Sequence, residues 1–176
     1  MLTIKWGILG LGKIAHHFAE SFEEIKNAKL LSIASRNEIN INNFKKKFNI
    51  SQEFCFDNYL DLINNKEIDI VYISLPHSLH YKWVTECIKN CKNILVEKPA
   101  VISVGDVLDI KERLKSKKIF FAESFLYRYH PQTQVVIDII KNEDVGGLLS
   151  MSSFFGSDII TKKKFFGLIK KIKISK

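Results

Sequence analysis

The stretch Trp6-Gly7-Ile8-Leu9-Gly10-Leu11-Gly12-Lys13-Ile14-Ala15 joins a short apolar run to a pattern with helical periodicity. Leu2–Leu9 is mainly apolar, as expected for a strand that is buried on both faces. After Lys13 the apolar residues recur at helical spacing, at Ile14, Phe18, Phe22 and Ile25. The stretch therefore predicts a strand, a tight turn and a helix in succession.

The turn itself, Gly10-x-Gly12-x-x-Ala15, fits the fingerprint of a dinucleotide-binding loop. One glycine makes the turn, the next lets the backbone approach a pyrophosphate, and the small third residue lets the helix pack closely on the strand. The phosphates would lie at the helix N-terminus, where free N–H groups and the helix dipole favour an anion. We predict that Gly10, Gly12, Lys13 and Ile14 contact this cofactor. The alternative is an ordinary glycine-rich turn.

The end of the second predicted strand, Lys29–Ala34, bears on which dinucleotide binds. An NAD site expects Asp or Glu there to bind the ribose 2′-hydroxyl, but this chain continues Ser35-Arg36-Asn37. A guanidinium beside a serine hydroxyl would hold a 2′-phosphate. Ser35 and Arg36 therefore favour NADP, with NAD less favoured. Alternatively, Arg36 is a solvated loop residue and Asn37 only caps the next helix.

Length and composition limit the class of protein. With 176 residues, 46% of them hydrophobic, the chain can form one complete domain and part of a second. No apolar run approaches the ~18 residues of a membrane span, and the N-terminus lacks the pattern of a signal peptide. The three cysteines, Cys55, Cys87 and Cys91, have no zinc-site spacing. We expect a cytoplasmic protein that does not associate with membranes.

The net charge of +8 is concentrated at one end of the chain. Residues 161–176 contain seven lysines and no acid, so residues 1–160 carry a net charge of only +1. This leaves no basic face that would indicate nucleic-acid binding. The Lys162–Lys164 run implies an adenine run in the coding DNA, where a one-base slip would put the residues after about 164 out of frame. The alternative is a basic amphipathic tail that binds membrane surfaces.

Strand-like and helical patterns alternate through residue 122. Continuous apolar runs separated by helices predict an α/β fold with a doubly wound parallel sheet, the Rossmann architecture, and place ligands at the carboxyl ends of the strands. The predicted strands are 2–9, 29–34, 53–56, 68–74, 93–96 and 118–122, and the predicted helices start near residues 13, 37, 59, 78 and 103. The helix residues expected to be buried include Ile41, Phe44, Phe48, Trp83, Val84, Cys87, Ile88, Cys91, Val107, Leu108 and Leu114.

Beyond residue 122 the pattern changes. Pro131 suits the first turn of a helix, which we expect to end near Gly146. Its inward-facing residues would be Val135, Val136, Ile139 and Ile140. Leu148–Phe155 then resembles the first strand of a new sheet. The expected organisation is a nucleotide-binding domain at 1–122, a linker helix and first strand of an incomplete α+β substrate domain at 123–160, and a basic tail at 161–176.

Four blocks of the sequence match a known family in order over about residues 3–157. They are Gly7–Ala15, Val71–His80, Glu97-Lys98-Pro99 and Glu123–Pro131. The chain resembles the glucose–fructose oxidoreductase/inositol dehydrogenase (Gfo/Idh/MocA) family of NAD(P)-dependent oxidoreductases that act on sugars and polyols. Arg36 and the Pro-His-x-x-His form of the second block look most like the dihydrodiol dehydrogenase branch of that family.

Oxidation of a secondary alcohol needs a proton acceptor near the carbon that loses hydride. Lys98 follows a buried strand, and partial burial beside a cationic nicotinamide would depress its pKa. The resemblance implies the same catalytic role for Lys98, which also contacts the cofactor, with Glu97 holding cofactor or backbone.

The resemblance also implies positions for the remaining candidates. The turn containing Leu75, His77 and His80 would lie beside the adenosine and the nicotinamide ribose, although His80 can also be read as a packed residue. We predict no metal at His77 and His80, because no further ligand cluster completes a site. Tyr127 and Arg128 either line the substrate pocket or pin the linker.

The sequence departs from the family in its second half. Members carry a substrate domain with a Gly-Gly-x-x-x-Asp-x-x-x-His motif whose Asp and His work with the lysine, and this motif is absent here. We therefore expect a truncated, impaired NADP-dependent oxidoreductase of a sugar, polyol or dihydrodiol-type alcohol, whose full-length relatives are homo-oligomers. The alternative function is a non-catalytic NADP-binding module or sensor.

Overall fold

A computed structural model describes residues 2–154, which contain six strands and six α-helices. The strands are β1 (Ile4–Leu9), β2 (Ala28–Ala34), β3 (Cys55–Phe56), β4 (Ile70–Ile73), β5 (Asn93–Val96) and β6 (Phe121–Glu123). The helices are α1 (Lys13–Glu20), α2 (Glu38–Phe48), α3 (Tyr59–Asn64), α4 (His77–Lys89), α5 (Val104–Lys115) and α6 (Pro131–Lys141). The chain divides into two compact units after Tyr129.

The six strands form a single parallel sheet in the order β3-β2-β1-β4-β5-β6. This order is that of a doubly wound dinucleotide-binding sheet, whose ligands bind where the strand order reverses. Here the reversal falls between β1 and β4. The predicted Rossmann architecture is confirmed.

The carboxyl ends of all six strands are aligned. One row of paired residues crosses the whole sheet, through Phe56, Ala34, Leu9, Ile73, Val96 and Glu123. Each residue that follows this row therefore emerges at the same edge of the sheet. That edge brings together segments that are up to 114 residues apart in the sequence, between Leu9 and Glu123.

Both faces of the sheet are covered, which explains the continuous apolar runs. Along β4, Val71 and Ile73 belong to the core beneath α3 and α4, whereas Tyr72 belongs to the core beneath α1 and α2. Every residue of β4 is buried. This central strand is therefore buried at every position, so its sequence does not alternate between apolar and polar residues.

The side of α1 that faces the sheet differs from the expected one. Ala15 and Ala19 are its buried residues, whereas Ile14 is 42% exposed. Phe18 and Phe22 are partly buried and pack against Trp6. The small residues face the sheet because the helix lies close to β1, as the predicted role of Ala15 requires.

Two of the predicted helix starts are confirmed by their caps. The side chain of Asn37 accepts a hydrogen bond from the backbone N–H of Asn40, at 3.2 Å, and α2 begins at Glu38. The hydroxyl of Ser103 accepts from the N–H of Asp106, at 3.1 Å, and α5 follows it. Both side chains satisfy donors that a helix N-terminus leaves free.

Several residues predicted to be buried are not. Cys91 is exposed, because α4 ends at Lys89 and the chain then turns through a positive φ of 53° at Cys91. On α5 only Ile110 is buried, and Val107 and Leu108 are 51% and 60% exposed. Helical spacing predicted that the side of α5 with Val107 and Leu108 is buried, but the fold covers the side with Ile110.

In the second unit, α6 begins at Pro131 and ends at Lys141, before the predicted end near Gly146. Val135 and Val136, expected to face inward, are 56% and 39% exposed. The predicted strand from Leu148 is not formed over residues 148–154. A strand needs a partner for its backbone groups, and the described residues of this unit contain no other strand. The rest of that prediction and the basic tail lie outside the described residues.

Candidate cofactor site and active site

The first glycine of the motif makes a turn that only glycine adopts without strain. Gly10 has φ +87°, and a Cβ added there would lie 2.8 Å from Cδ2 of Leu75 and 3.0 Å from the carbonyl oxygen of Ser74. The Ser74 hydroxyl donates to the carbonyl oxygens of Gly10, at 2.8 Å, and Leu9, at 3.2 Å. The glycine turn is thus held against the segment that follows β4.

The second glycine has a different environment. Gly12 precedes α1 in an extended conformation, and a Cβ added there would meet no protein atom within 4 Å. No side chain caps α1, its first turn contains no acidic residue, and Lys13 and Ile14 are exposed beside it. Open space at a helix N-terminus without a cap is the arrangement that a pyrophosphate requires. The residues present therefore fit a dinucleotide.

A cavity of about 310 Å³ lies beside the end of β2. Its lining residues are Arg36, Asp57, Asn58, Tyr59, Leu79, Lys82 and Trp83. Arg36 lies 5.9 Å from the ring centroid of Tyr59, and the Lys82 ammonium lies 4.9 Å from that of Trp83. Two cations thus border a cavity with aromatic walls, which suits a nucleotide base and a phosphate.

The two residues predicted to select NADP are placed differently. The Arg36 side chain lines this cavity, whereas Ser35 is buried and its Oγ accepts a hydrogen bond from the N–H of Asn37, at 3.1 Å. Ser35 therefore stabilises the turn that presents Arg36. Sequence reasoning missed Lys82, although its spacing from Leu79 places both on one side of α4.

The turn after β4 holds the predicted residues Leu75, His77 and His80. Leu75 is buried against Gly10, and His77 is exposed at the first position of α4. His80 is 0% exposed, with Nε2 2.7 Å from the carbonyl oxygen of Leu75 and Nδ1 2.7 Å from that of Pro99. His80 thus presents no accessible surface in the chain, and its contact with a cofactor stays a prediction. Its alternative as a packed residue fits.

The rings of His77 and His80 lie 5.5 Å apart. Among residues 2–154, no group of three or more His, Cys, Asp or Glu side chains could hold a metal ion.

Within residues 2–154, no helix combines the length and apolarity needed to cross a membrane.

Glu97 begins the loop that follows β5. Its N–H donates to the carbonyl oxygen of Ile73, at 2.9 Å, and its Oε1 accepts a hydrogen bond from the hydroxyl of Tyr72, at 2.7 Å. Burial, followed by the hydrogen bond to Glu97, raises the pKa of the Tyr72 phenol. The Tyr72 ring stacks on Phe18 of α1, with centroids 4.0 Å apart. Both the side chain and the backbone N–H of Glu97 are therefore hydrogen-bonded within the protein. Tyr72 is a site residue that the sequence did not indicate.

Lys98 lies next to a second cavity of about 380 Å³, lined by Lys98, Pro99, Glu123 and Phe125. The lysine is exposed, so the partial burial that we expected is absent from the chain itself. Across this region, the N–H of Ala100 donates to Oε1 of Glu123, at 2.8 Å. The cavity thus presents an amine beside a space that a small molecule could enter.

Tyr127 and Arg128 lie in a 3₁₀ turn that spans Leu126–Tyr129. Both side chains are exposed, and the rings of Phe125 and Tyr127 are 5.6 Å apart. The N–H of Arg128 donates to the carbonyl oxygen of Phe125, at 3.0 Å. The turn therefore joins Tyr127 and Arg128 to Phe125, which lines the cavity beside Lys98.

The sheet order, the glycine turn at its reversal and the open N-terminus of α1 define a Rossmann-type nucleotide-binding domain. The family model GFO_IDH_MocA, described as "Oxidoreductase family, NAD-binding Rossmann fold", matches residues 4–125. The chain belongs to this Gfo/Idh/MocA oxidoreductase family, as the four sequence blocks predicted.

The chain is also similar, at low sequence identity, to dihydrodiol dehydrogenases. The chain is 26% identical over 160 residues to trans-1,2-dihydrobenzene-1,2-diol dehydrogenase of Xenopus tropicalis, covering 90% of this chain and 48% of that protein. It therefore spans about half the length of the relatives that it matches.

Solved structures show the same fold. The scyllo-inositol dehydrogenase of Lactobacillus casei with bound NAD(H) and scyllo-inositol superposes with a TM-score of 0.76 and 22% identity, covering 82% of this chain and 42% of that one. A 3-ketoreductase of Actinomadura kijaniata in complex with NADP and TDP-benzene gives a TM-score of 0.72 and 24% identity, covering 80% and 42%.

Proposed function

We propose that this chain provides the cofactor-binding half of an NADP-dependent oxidoreductase that acts on a secondary alcohol of the sugar, polyol or dihydrodiol type. The observation that carries this proposal is the common edge of the sheet. Leu9, Ile73 and Val96 pair in one row, so the glycine turn, the Ser74 turn and the Lys98 loop emerge side by side. A cofactor seated on that edge lies between a phosphate-binding turn and an amine.

The diphosphate would bind at Gly12 and the first N–H groups of α1, where a Cβ would fill the available space. Arg36 would hold the 2′-phosphate through charge-assisted hydrogen bonds. The carboxylate of Asp57 borders the same cavity, so the base and sugar rather than the phosphate belong on its side. The preference for NADP rests on Arg36 and on the lack of an acid at the end of β2.

Bound NADP supplies the hydride acceptor or donor. The Lys98 amine takes the proton from the substrate hydroxyl during oxidation and returns it during reduction. Glu97, held by Tyr72, fixes the start of the loop that presents Lys98. The substrate would enter the cavity that Lys98 shares with Phe125.

Cofactor binding is the first test. Titration of the purified chain with NADPH and NADH, followed by nicotinamide fluorescence, should give a lower Kd for NADPH. Arg36→Gln should weaken NADPH binding about tenfold, because a charge-assisted contact is lost, and should leave NADH binding unchanged. Arg113→Gln on α5, where Arg113 pairs with Asp109 at 2.6 Å, is the matched control. Tighter binding of NADH, or binding of neither, would contradict the proposal.

The second test separates an enzyme from a binding module. Dehydrogenase activity of this chain should appear at a low rate with NADP⁺ and a panel of polyols, sugars and dihydrodiols, because most of the substrate domain is lacking, and Lys98→Ala should abolish it while the NADPH affinity is kept. A chain that binds NADPH but oxidises no member of the panel would support a non-catalytic module instead.

A further inference from the structure

One peptide group in the loop between β5 and α5 is bound from both sides. The carbonyl oxygen of Pro99 lies 2.7 Å from Nδ1 of His80. The N–H of the same peptide, at Ala100, donates to Oε1 of Glu123, at 2.8 Å. Two side chains, from α4 and β6, thus meet at the peptide that follows Lys98 by one residue.

His80 also connects this peptide to the cofactor side of the site. Its Nε2 lies 2.7 Å from the carbonyl oxygen of Leu75, whose side chain packs against Gly10. Both partners are acceptors, so each ring nitrogen can bond its carbonyl oxygen only as an N–H donor, and the bond to Pro99 requires the hydrogen on Nδ1. Since the ring is fully buried, water does not compete for these contacts.

The loop needs such contacts because residues 97–103 form no helix or strand. Its two ends are held by the backbone bond from Glu97 to Ile73 and by the Ser103 cap. Between these ends, Nδ1 of His80 faces the carbonyl oxygen of Pro99, and Glu123 accepts a hydrogen bond from the N–H of Ala100. The position of Lys98 therefore depends on side chains from two other elements.

We propose that His80 and Glu123 are positioning residues that together fix Lys98 in the site. We name this pair the peptide clamp. The inference rests on the proposed function for the role of Lys98, whereas the clamp itself is a property of the chain alone. In this proposal His80 acts on Lys98 through the backbone of the loop.

The test uses the full 176-residue chain and two spectroscopic measurements. Amide hydrogen exchange by NMR reports on the Ala100 N–H. Reductive ¹³C-methylation of the lysines, with the Lys98 signal assigned from Lys98→Arg, reports on the surroundings of the amine. Glu123→Ala removes the acceptor, Glu123→Gln keeps a carbonyl acceptor without the charge, and His80→Asn removes the contact to Pro99.

Tyr81→Phe is the matched control. Tyr81 follows His80 on α4, and its hydroxyl donates to Asp109 on α5, at 2.9 Å, away from the loop. This variant also loses one side-chain hydrogen bond. A merely structural effect of losing such a bond would affect Tyr81→Phe and Glu123→Ala alike.

The clamp predicts that Glu123→Ala accelerates exchange of the Ala100 amide about tenfold or more and shifts the Lys98 signal, because the amine then leaves its fixed position in the cavity. Glu123→Gln should restore both, and Tyr81→Phe should leave both unchanged. Unchanged exchange and an unmoved Lys98 signal in Glu123→Ala would overturn the proposal, even if His80→Asn fails to fold.

NADPH titration of the same variants separates this proposal from the proposed function. Should the unaltered chain bind no NADPH, the proposed function fails, and the exchange and lysine measurements still decide the clamp. Should NADPH bind to Glu123→Ala as to the unaltered chain while the Lys98 signal moves, the clamp is supported as a device for positioning the amine.

Discussion

The hydroxyl of Tyr72 on β4 donates a 2.7 Å hydrogen bond to the carboxylate of Glu97, the first residue after β5. The same ring stacks on Phe18 of α1. The Tyr72 side chain therefore contacts both α1, whose N-terminus fits a pyrophosphate, and Glu97, which starts the Lys98 loop. Tyr72 thus links the part of the proposed site that would bind phosphate to the loop that presents the Lys98 amine.

Replacing Tyr72 with Phe should lower the free energy of unfolding by about 1–2 kcal/mol, because the Glu97 carboxylate loses a donor while the ring keeps its packing. Urea denaturation measures this change. Tyr81→Phe should cost less, because the Asp109 carboxylate that loses this donor keeps its hydrogen bond from Arg113. Equal losses in the two variants would show that the Tyr72–Glu97 hydrogen bond stabilises the fold no more than the Tyr81–Asp109 hydrogen bond does.

Replacing Gly10 with Ala should destabilise the fold by about 1–3 kcal/mol, because a side chain at positive φ is strained and its Cβ overlaps Leu75. Thermal and urea unfolding would detect this loss without any cofactor. A variant as stable as the unaltered chain would mean that the turn adopts another conformation.

Replacing Gly12 with Ala should change the free energy of unfolding by less than about 0.5 kcal/mol, because the added Cβ meets no protein atom. The same change should weaken NADPH binding about tenfold or more, or about 1.4 kcal/mol, because the methyl group occupies space next to the phosphates. Fluorescence titration beside unfolding separates the two effects. Unaltered NADPH affinity would place the diphosphate elsewhere.

The buried thiol of Cys87 should make stability depend on pH. Burial raises its pKa from 9.0 to about 12. Between these values the folded chain keeps a proton that the unfolded chain releases, so stability falls as the pH rises. The expected loss is about 1.4 kcal/mol per pH unit.

Urea unfolding of the unaltered chain and of Cys87→Ala between pH 8 and about 11 isolates this contribution, since all other groups are common to both. The difference between them should narrow as the pH rises above 9.0. A constant difference would contradict the burial of the thiol. Labelling with a thiol reagent provides a second readout: the exposed Cys91 should react before Cys87.

Much of the fold follows from local patterns in the sequence. The apolar runs of β1, β4 and β5 predict strands covered on both faces, because only such strands can be apolar at successive positions. Asn37 and Ser103 predict the starts of α2 and α5, since their side chains satisfy free N–H groups within three residues. The glycine turn likewise depends on residues adjacent in the chain.

The same patterns were less informative about burial and about the site. Helical spacing on α5 selects Val107 and Leu108, yet Ile110 is the residue that the fold buries. Cys91 has helical spacing from Cys87 but lies beyond the end of α4. Periodicity describes a face of an element and carries no information on which element covers it.

The sequence by itself determined the class of sheet, the glycine turn and the position of Lys98 after a buried strand, because each depends on residues close together in the chain. The tertiary structure alone decided that the His80 ring lies between the carbonyl oxygens of Leu75 and Pro99, that Tyr72 donates to Glu97, and that Glu123 accepts from Ala100. These contacts join segments from different strands and helices. They exist only because the parallel sheet aligns its carboxyl ends at one edge, and this alignment is a property of strand order and register.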